Sequence, residues 1–457
     1  MRRLTAIALA LLLAGCHSPQ VKQAQSTLTI PAQWRDGIGP KSPVEGFWWR
    51  NFHDSQLNRF VEQALRYNSD VLTARARIDE YQARVTAADS ALWPTLDASL
   101  GVTRARSQSA ATGLPTHGTR YQGGLTASYD VDLWGATRRN IDAATLTLEA
   151  QKSAAAAADL SVASQTAAGY ITLLALDEQL RITRSTLKAR ENAWQLAKRQ
   201  YETGYSSRLE LMQADSELRA TRAQIPQLQH QITQQENALQ VLAGSLPAGV
   251  SRGGNFAALT PLSMPAQLPS SLLERRPDIV QAQQTLLASD QTLAASRAKL
   301  LPSLSLSASG TYQDDTLTGL LDNPLRLWSV GGSVLAPLLI RDTLNAQVDI
   351  AMSQRNQALY SYESTVRNAF REVNDSLDAI RRLGEQLSEL EGQEQVAQET
   401  LRIAHNRYRN GYSSFLEELD AQRTLYATQL NVVQTRNDLL LAQIDLYRAL
   451  GGGWQVK

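Results

Sequence analysis

The hydrophobic positions of this chain change period along its length, and then change back. From Ala136 to Glu202 there is no proline, one glycine (Gly169) and a dense supply of Ala, Leu, Gln and Arg. Leu173, Leu180, Leu187, Trp194 and Tyr201 recur there every seven residues. Past a Gly204-Tyr205-Ser206-Ser207 turn, Leu211, Leu218, Ile225, Ile232 and Leu239 keep the same step. A sustained seven-residue apolar period predicts packed helices that supercoil left-handedly. A second series repeats the pattern with Ile380, Leu387, Leu401 and Tyr408, then Leu425, Val432, Leu439 and Leu446; Glu394 interrupts it. A single helix over 136–202 would be about 100 Å long. Pro226 falls inside the returning helix of the first series and is expected to kink or break it.

Elsewhere the period drops to two. Leu96, Ala98, Leu100 and Val102 alternate with Thr95, Asp97, Ser99, Gly101 and Thr103. Tyr121, Gly123, Leu125, Ala127, Tyr129, Val131 and Leu133 form a second such run. Leu304 to Tyr312 and Trp328 to Ala336 supply two more in the second half of the chain. Strands with one apolar and one small-polar face match an outer-membrane barrel, and equally a half-buried soluble sandwich. The polar stretches 104–119 and 313–324 are expected to be exposed loops.

The two halves say the same thing. Tyr201-Glu202-Thr203-Gly204-Tyr205-Ser206-Ser207 returns as Tyr408-Arg409-Asn410-Gly411-Tyr412-Ser413-Ser414, about 207 positions later. Leu242-Ala243-Gly244 is answered by Ala449-Leu450-Gly451. A repeat this long is a duplicated half-molecule rather than a solenoid unit. It divides the chain into 16–250 and 251–457. Ser207 with Glu210, and Ser414 with Glu417, fit the capping box, and Gly204 and Gly411 suit the residue that ends a helix. Each half thus reads as one long helical hairpin.

Arg2 and Arg3 precede an apolar run ending in Leu13-Ala14-Gly15-Cys16. That pattern predicts a signal peptide over 1–15, too short to span a bilayer as a helix. Leu-Ala-Gly-Cys resembles the bacterial lipobox, in which Cys16 becomes the acylated first residue; an ordinary signal peptide with an incidental Cys is the alternative. His17 at the second mature position permits sorting to the outer membrane. Cys16 is the only cysteine, so no intrachain disulfide can form. The net charge of +1 gives no long-range attraction to nucleic acid. Metalloprotease, phosphate-loop and hydrolase-elbow motifs are absent, the five His lack ligand spacing and Met is scarce. The chain therefore reads as a non-enzyme with no cofactor and no metal site.

Four strands are too few for a barrel, and an open sheet edge cannot sit in lipid with its backbone groups unpaired. A membrane reading demands oligomerisation, and a trimer would give twelve strands. The chain resembles the TolC-like outer-membrane efflux family, in its lipoprotein branch (the NodT-type outer-membrane factors). The resemblance rests on Trp48-Trp49-Arg50-Asn51-Phe52-His53-Asp54, Asn68-Ser69-Asp70, Asp132-Leu133-Trp134-Gly135, Arg275-Arg276-Pro277-Asp278-Ile279, Leu419-Asp420-Ala421-Gln422-Arg423 and Ala449-Leu450-Gly451-Gly452-Gly453-Trp454.

The resemblance implies a mainly α fold with membrane β. A homotrimeric twelve-stranded barrel in outer-membrane lipid would continue into a long periplasmic α-helical barrel. It implies a passive duct for drugs or toxic compounds, working with a periplasmic adaptor and an inner-membrane pump. Glu417 and Asp420 fall where the family rings its closed entrance with acids, and Glu210 matches the first-half position. Glu417 and Glu210 also suit helix caps, so both readings stand for them. Gly204, Tyr205, Ser206, Ser207, Gly411, Tyr412, Ser413 and Ser414 are the expected adaptor contacts, or turn chemistry alone. Arg208 and Ser413 stand near the family's latch positions without matching them. Trp48, Trp49 and Phe52 are expected to be packing residues. The alternatives are a structural or adhesive coiled-coil lipoprotein, or a duct for protein export.

Overall fold

The computed structural model describes residues 23–35, 46–108, 113–262 and 269–452. A 3-10 turn at Trp48–Phe52 leads to α1 (Ser55–Tyr67) and α2 (Ser69–Ser90). Then follow β1 (Thr95–Gln108), β2 (Pro115–Val131), α3 (Ala136–Glu202) and α4 (Arg208–Leu242). The second half brings α5 (Pro277–Ala298), β3 (Ser303–Asp314), a short α6 (Leu317–Asp322), β4 (Leu325–Leu335), α7 (Arg341–Arg409) and α8 (Phe415–Ala449). The chain divides into two compact units: one includes 78–151 and 281–363, the other 28–77, 152–280 and 364–457.

The first unit holds one antiparallel sheet in the order β1-β2-β3-β4. Its register sorts the side chains onto two faces. Thr95 pairs with Ser128 and Ser309 with Ser329, and their hydroxyls meet at 2.7 and 2.9 Å on the polar face. The other face carries Leu96, Leu100, Val102, Leu125, Leu306, Trp328, Val330 and Val334, all largely exposed. Leu325, Leu327 and Leu335 are the exceptions that β4 turns to the polar face. Trp134 is tied down, its indole donating to the Pro302 carbonyl at 2.7 Å, while Trp328 is exposed.

Two expectations about local structure are corrected. The stretch 104–119 is largely strand: β1 runs on to Gln108 and β2 begins at Pro115. Polarity marks where a strand meets water, and it does not end the ladder. Likewise β3 runs to Asp314, and 317–322 is helical, opened by Thr316 accepting from the Gly319 N–H at 3.0 Å. Pro226 does not break α4, which is continuous through it. One missing N–H removes a single rung from a helix held by its packed face.

The first long helix has the expected extent, α3 with 67 residues; α7 has 69 and begins well before the seven-residue series read for it, and each return helix has 35. The seven-residue series is buried or half-buried throughout, apart from Tyr201. Glu394 is not a flaw in that series. Its carboxylate accepts from Gln398 within α7 and from Gln429 of α8, both at 3.1 Å.

In the second unit the duplication is visible as a repeated joint made from different residues. Asn68 caps α2 by accepting from Asp70 N–H at 2.8 Å, and its amide donates to Leu242 O at 3.0 Å, closing the end of α4. About 207 residues later the equivalent place holds Arg276. Its guanidinium donates to Asp278 at 2.8 and 2.9 Å, to Glu372 at 2.7 Å and to Ala449 O at the end of α8. Trp48, Phe52, Leu57 and Tyr170 are fully buried, as packing residues. The Trp48 ring sits 5.7 Å from that of Tyr447. Asp54 caps α1 through Gln56 and Leu57 N–H groups and also accepts from the Tyr170 hydroxyl.

Gly451 should be irreplaceable at this joint. Its φ is +87°, and a Cβ there would lie 2.6 Å from Arg275 O. Gly451→Ala should cost about 1–3 kcal/mol, whereas Gly384→Ala, in open space on α7, should gain about 0.5–1 kcal/mol. Thermal unfolding of the two variants checks this. Equal melting temperatures would show that the joint relaxes around a side chain.

Candidate functional site

The ends of the two helical hairpins lie side by side, with the Tyr205 hydroxyl 3.6 Å from where a Gly411 Cβ would stand. Both turns end their helix the same way. Gly204 and Gly411 have φ of +74° and +75°, and the next residue's N–H reaches back: Tyr205 to Gln200 O at 2.7 Å, Tyr412 to Arg407 O at 2.9 Å. This Schellman closure satisfies carbonyls that the helix leaves open. It also throws Tyr205 and Tyr412 outward, each 78% exposed. Leu209, Met212 and Leu416 are exposed beside them. The Ser206 and Ser413 hydroxyl oxygens are both shielded, with no hydrogen-bond partner among the described residues.

The turns begin the next helix differently. The Ser207 hydroxyl accepts from Glu210 N–H at 3.3 Å, the expected N-cap. The matching expectation for Ser414 and Glu417 fails: Ser414 makes no side-chain cap. In its place Phe415, 1% exposed, anchors the turn against Tyr408 with ring centroids 5.5 Å apart. Ala197, Ala214 and Leu419 complete that small core. Burial of an aromatic ring outweighs one exposed hydroxyl contact of about 1 kcal/mol.

Of the three acids expected at the entrance, Glu417 and Asp420 are exposed and Glu210 is half-buried. Glu417 and Asp420 share a face of α8 and line a groove of about 250 Å³ with Val396 and Thr400 of α7. Glu417 lies 3.5 Å from the Arg407 guanidinium. Cys16 lies outside the described residues.

Sequence reasoning missed the acid between them. Glu418 is buried and accepts from Gln422 at 3.1 Å, with His405 Nδ1 at 2.8 Å. The signal was available, since Phe415, Glu418 and Gln422 follow the inward stripe of α8. Tyr408 donates from its hydroxyl to Gln200 Oε1 at 2.7 Å, joining the second hairpin to the first. Burial, with Glu210 and Glu418 nearby, pushes the Tyr408 phenol up to about 12.

Further from the turns, a polar clasp joins the same two hairpins. Glu217 of α4 takes the buried Arg190 of α3 at 2.9 Å and, from the other side, the Nε of Arg423 of α8 at 2.9 Å. Arg190 also donates to the Thr221 hydroxyl and to Glu217 O. Tyr426 of α8 donates to Gln224 of α4, and its oxygen meets the Thr183 hydroxyl of α3 at 3.0 Å. One carboxylate thus compensates a buried guanidinium and holds a third helix in place. Among the described residues no group of three or more His, Cys, Asp and Glu could hold a metal, and no helix is long and apolar enough to cross a membrane.

Two measurements test this geometry. Glu217→Ala strands Arg190 in the interior and should cost about 3–5 kcal/mol. Arg423→Ala removes only the outer, half-exposed partner and should cost under about 1 kcal/mol. Hydrogen exchange along α4 and α8 should rank them in that order. The Tyr170 phenol is also pushed up to about 12, mainly by burial. Both phenols are acids whose neutral form the fold favours. The stability they contribute is complete below about pH 10 and is lost as pH rises through about 12. Burial also raises the Tyr362 phenol, so ultraviolet titration should show Tyr170, Tyr362 and Tyr408 titrating late, with one fewer late tyrosine after Tyr408→Phe.

Comparison with known proteins agrees with this architecture. The description of the outer membrane efflux protein family matches the chain twice, over residues 60–245 and 268–452. The pyoverdine export outer membrane protein OpmQ of Pseudomonas aeruginosa is 32% identical, covering 100% of this chain and 98% of its own. The probable outer membrane lipoprotein SilC of Salmonella typhimurium is 30% identical over 99% of both. The solved outer-membrane channel OprN superposes with a TM-score of 0.90 at 27% identity, covering 96% of this chain and 100% of its own. The sheet, the paired long hairpins and the doubled match lead to one conclusion: the chain belongs to the outer membrane efflux proteins and has their channel fold, with four barrel strands per chain and a periplasmic helical part.

Proposed function

We propose that three copies of this chain join β1 of one to β4 of the next, closing a twelve-stranded duct through which an inner-membrane pump expels toxic compounds. One observation carries the reading. Among the described residues the outer edges of β1 and β4 have no partner strand, while the sheet's apolar face is exposed. In lipid such edges must pair, and water offers no reason for Leu100, Trp328 and Val330 to lie bare.

The exposed Tyr205, Leu209, Tyr412 and Leu416 at the hairpin ends are the surface for a periplasmic adaptor. The Gly204–Ser207 and Gly411–Ser414 turns supply its shape. The shared acidic face of Glu417 and Asp420, with Glu210 nearby, supports a cation-attracting gate. Threefold symmetry would bring like charges together there and make the closed state sensitive to divalent ions. Residues 1–15 act as signal peptide, and Cys16 carries the lipid that anchors the chain in the outer membrane. Relatives of 30–32% identity are named for pyoverdine, toluene and cation export. Cargo choice therefore belongs to the pump rather than to the duct.

The purified protein should run as a heat-resistant trimer and give single-channel conductance in planar bilayers; a stable folded monomer in detergent would reject the duct. Glu417→Ala with Asp420→Ala should raise resting conductance and weaken block by divalent cations. Cys16→Ser should abolish fatty-acid labelling while leaving the trimer intact.

A further inference from the structure

Because β1 runs on to Gln108, Arg104 and Arg106 stand on a strand face rather than in a loop. On β1 the apolar positions Leu96, Ala98, Leu100 and Val102 are followed, at the same step of two, by Arg104 and Arg106. Alternation puts all six on one face. The register agrees: Val102 pairs with Tyr121, Arg104 with Thr119 and Arg106 with His117, while Arg120 pairs with Thr103 on the polar face. β4 repeats the order. Toward the same end of the sheet, Val334, Gly332, Val330 and Trp328 give way to Arg326. The Arg326 guanidinium lies 5.9 Å above the Tyr312 ring of β3. Arg104 and Arg106 are exposed, with no hydrogen-bond or ion-pair partner among the described residues. Among the described strand residues the acid on this face at this end is Asp314, which accepts from Thr316 N–H and hydroxyl at 2.9 and 3.0 Å.

Height decides what these cations meet. Counted from Leu96, Arg104 and Arg106 come roughly 26 and 33 Å further along the strand at about 3.3 Å per residue. A strand tilt of about 40° turns this into roughly 20 and 25 Å along the membrane normal. The outward apolar band of such a barrel is about 25 Å tall. Arg106 therefore sits at its far border, where lipid phosphates begin, and Arg104 lies about 5 Å inside it, within reach of that border through its long side chain. This end of the sheet carries the strand-to-strand connections, while the other end feeds α2 and α3, so it is the outer leaflet that they face. A lipid-facing Arg is costly at mid-membrane and nearly free at the border. Its planar fork of donors suits phosphate oxygens.

We propose that Arg104 and Arg106 form a binding site for the phosphate groups of outer-leaflet lipids. The site clamps the barrel wall to its membrane at a fixed height. The inference rests on the barrel reading above, and its test keeps the two apart.

The intact trimer in detergent is titrated with lipid A, and with lipid A stripped of its phosphates, and adducts are counted by native mass spectrometry. Wild type should prefer the phosphorylated form, and that preference should fade with salt. Arg104→Gln with Arg106→Gln should weaken phosphorylated lipid A binding by about 10- to 30-fold. Arg326→Gln should weaken it less, and Arg120→Gln, on the polar face, by under about twofold. Equal binding of the two lipids by wild type, or unchanged binding by the double variant in a conducting trimer, overturns the site. Displacement of lipid A by inorganic phosphate at matching concentration would reassign it to free anions and overturn it equally. A wild type that forms no trimer sinks the barrel reading instead.

Discussion

Backbone hydrogen bonding in a medium without water is the constraint on which this protein rests. A sheet of four strands satisfies its inner ladders and leaves two edges open. In a soluble domain a helix or a loop would cover them. Here the sheet's other property, an apolar face turned outward, forbids that solution, because the face itself must meet lipid. Only further strands of the same kind can complete it. The requirement reaches down to the choice of residues: small hydroxyls gather on one face, and most of the large apolar groups lie exposed on the other. What looks like an unfinished domain is a complete one-third of something.

Much of this was legible in the residues, for reasons that can be stated. Seven-residue periodicity over Ala136–Glu202 is a global signal, repeated many times, so α3 came out with its true ends. Gly204 and Gly411 were readable because only a left-handed backbone calls for glycine at that point. The strand ends were not. Thr103 to Gln108 and Pro115 to Arg120 are polar because they leave the apolar band, and polarity is the same evidence that marks a loop. Position within a sheet is set by partners, and here Thr103–Gln108 and Pro115–Arg120 pair with each other, so no apolar alternation against a third strand marks them as ladder.

The hairpin ends show the same division. The exposed tyrosines follow from the turn type. The burial of Glu418 and the failure of Ser414 as a cap follow from packing against α3 and α4, which one helix's own sequence does not display. The joint at residues 68 and 276 shows this most clearly. An asparagine and an arginine at matching places of the repeat do the same work, each closing the end of a different long helix through its backbone carbonyl. Duplication preserved the geometry and let the chemistry drift, so comparing residue types alone hides the correspondence.

The unequal starts of α4 and α8 have a consequence for symmetry. One prong opens on a serine hydroxyl and the other on an aromatic plug, so in the proposed trimer six prongs in a ring would come in two alternating kinds. A partner with six identical docking arms would find every second berth a poorer fit. A partner organised as three unequal pairs would find none, and the ring thereby acquires a rotational register, only three ways of mating instead of six.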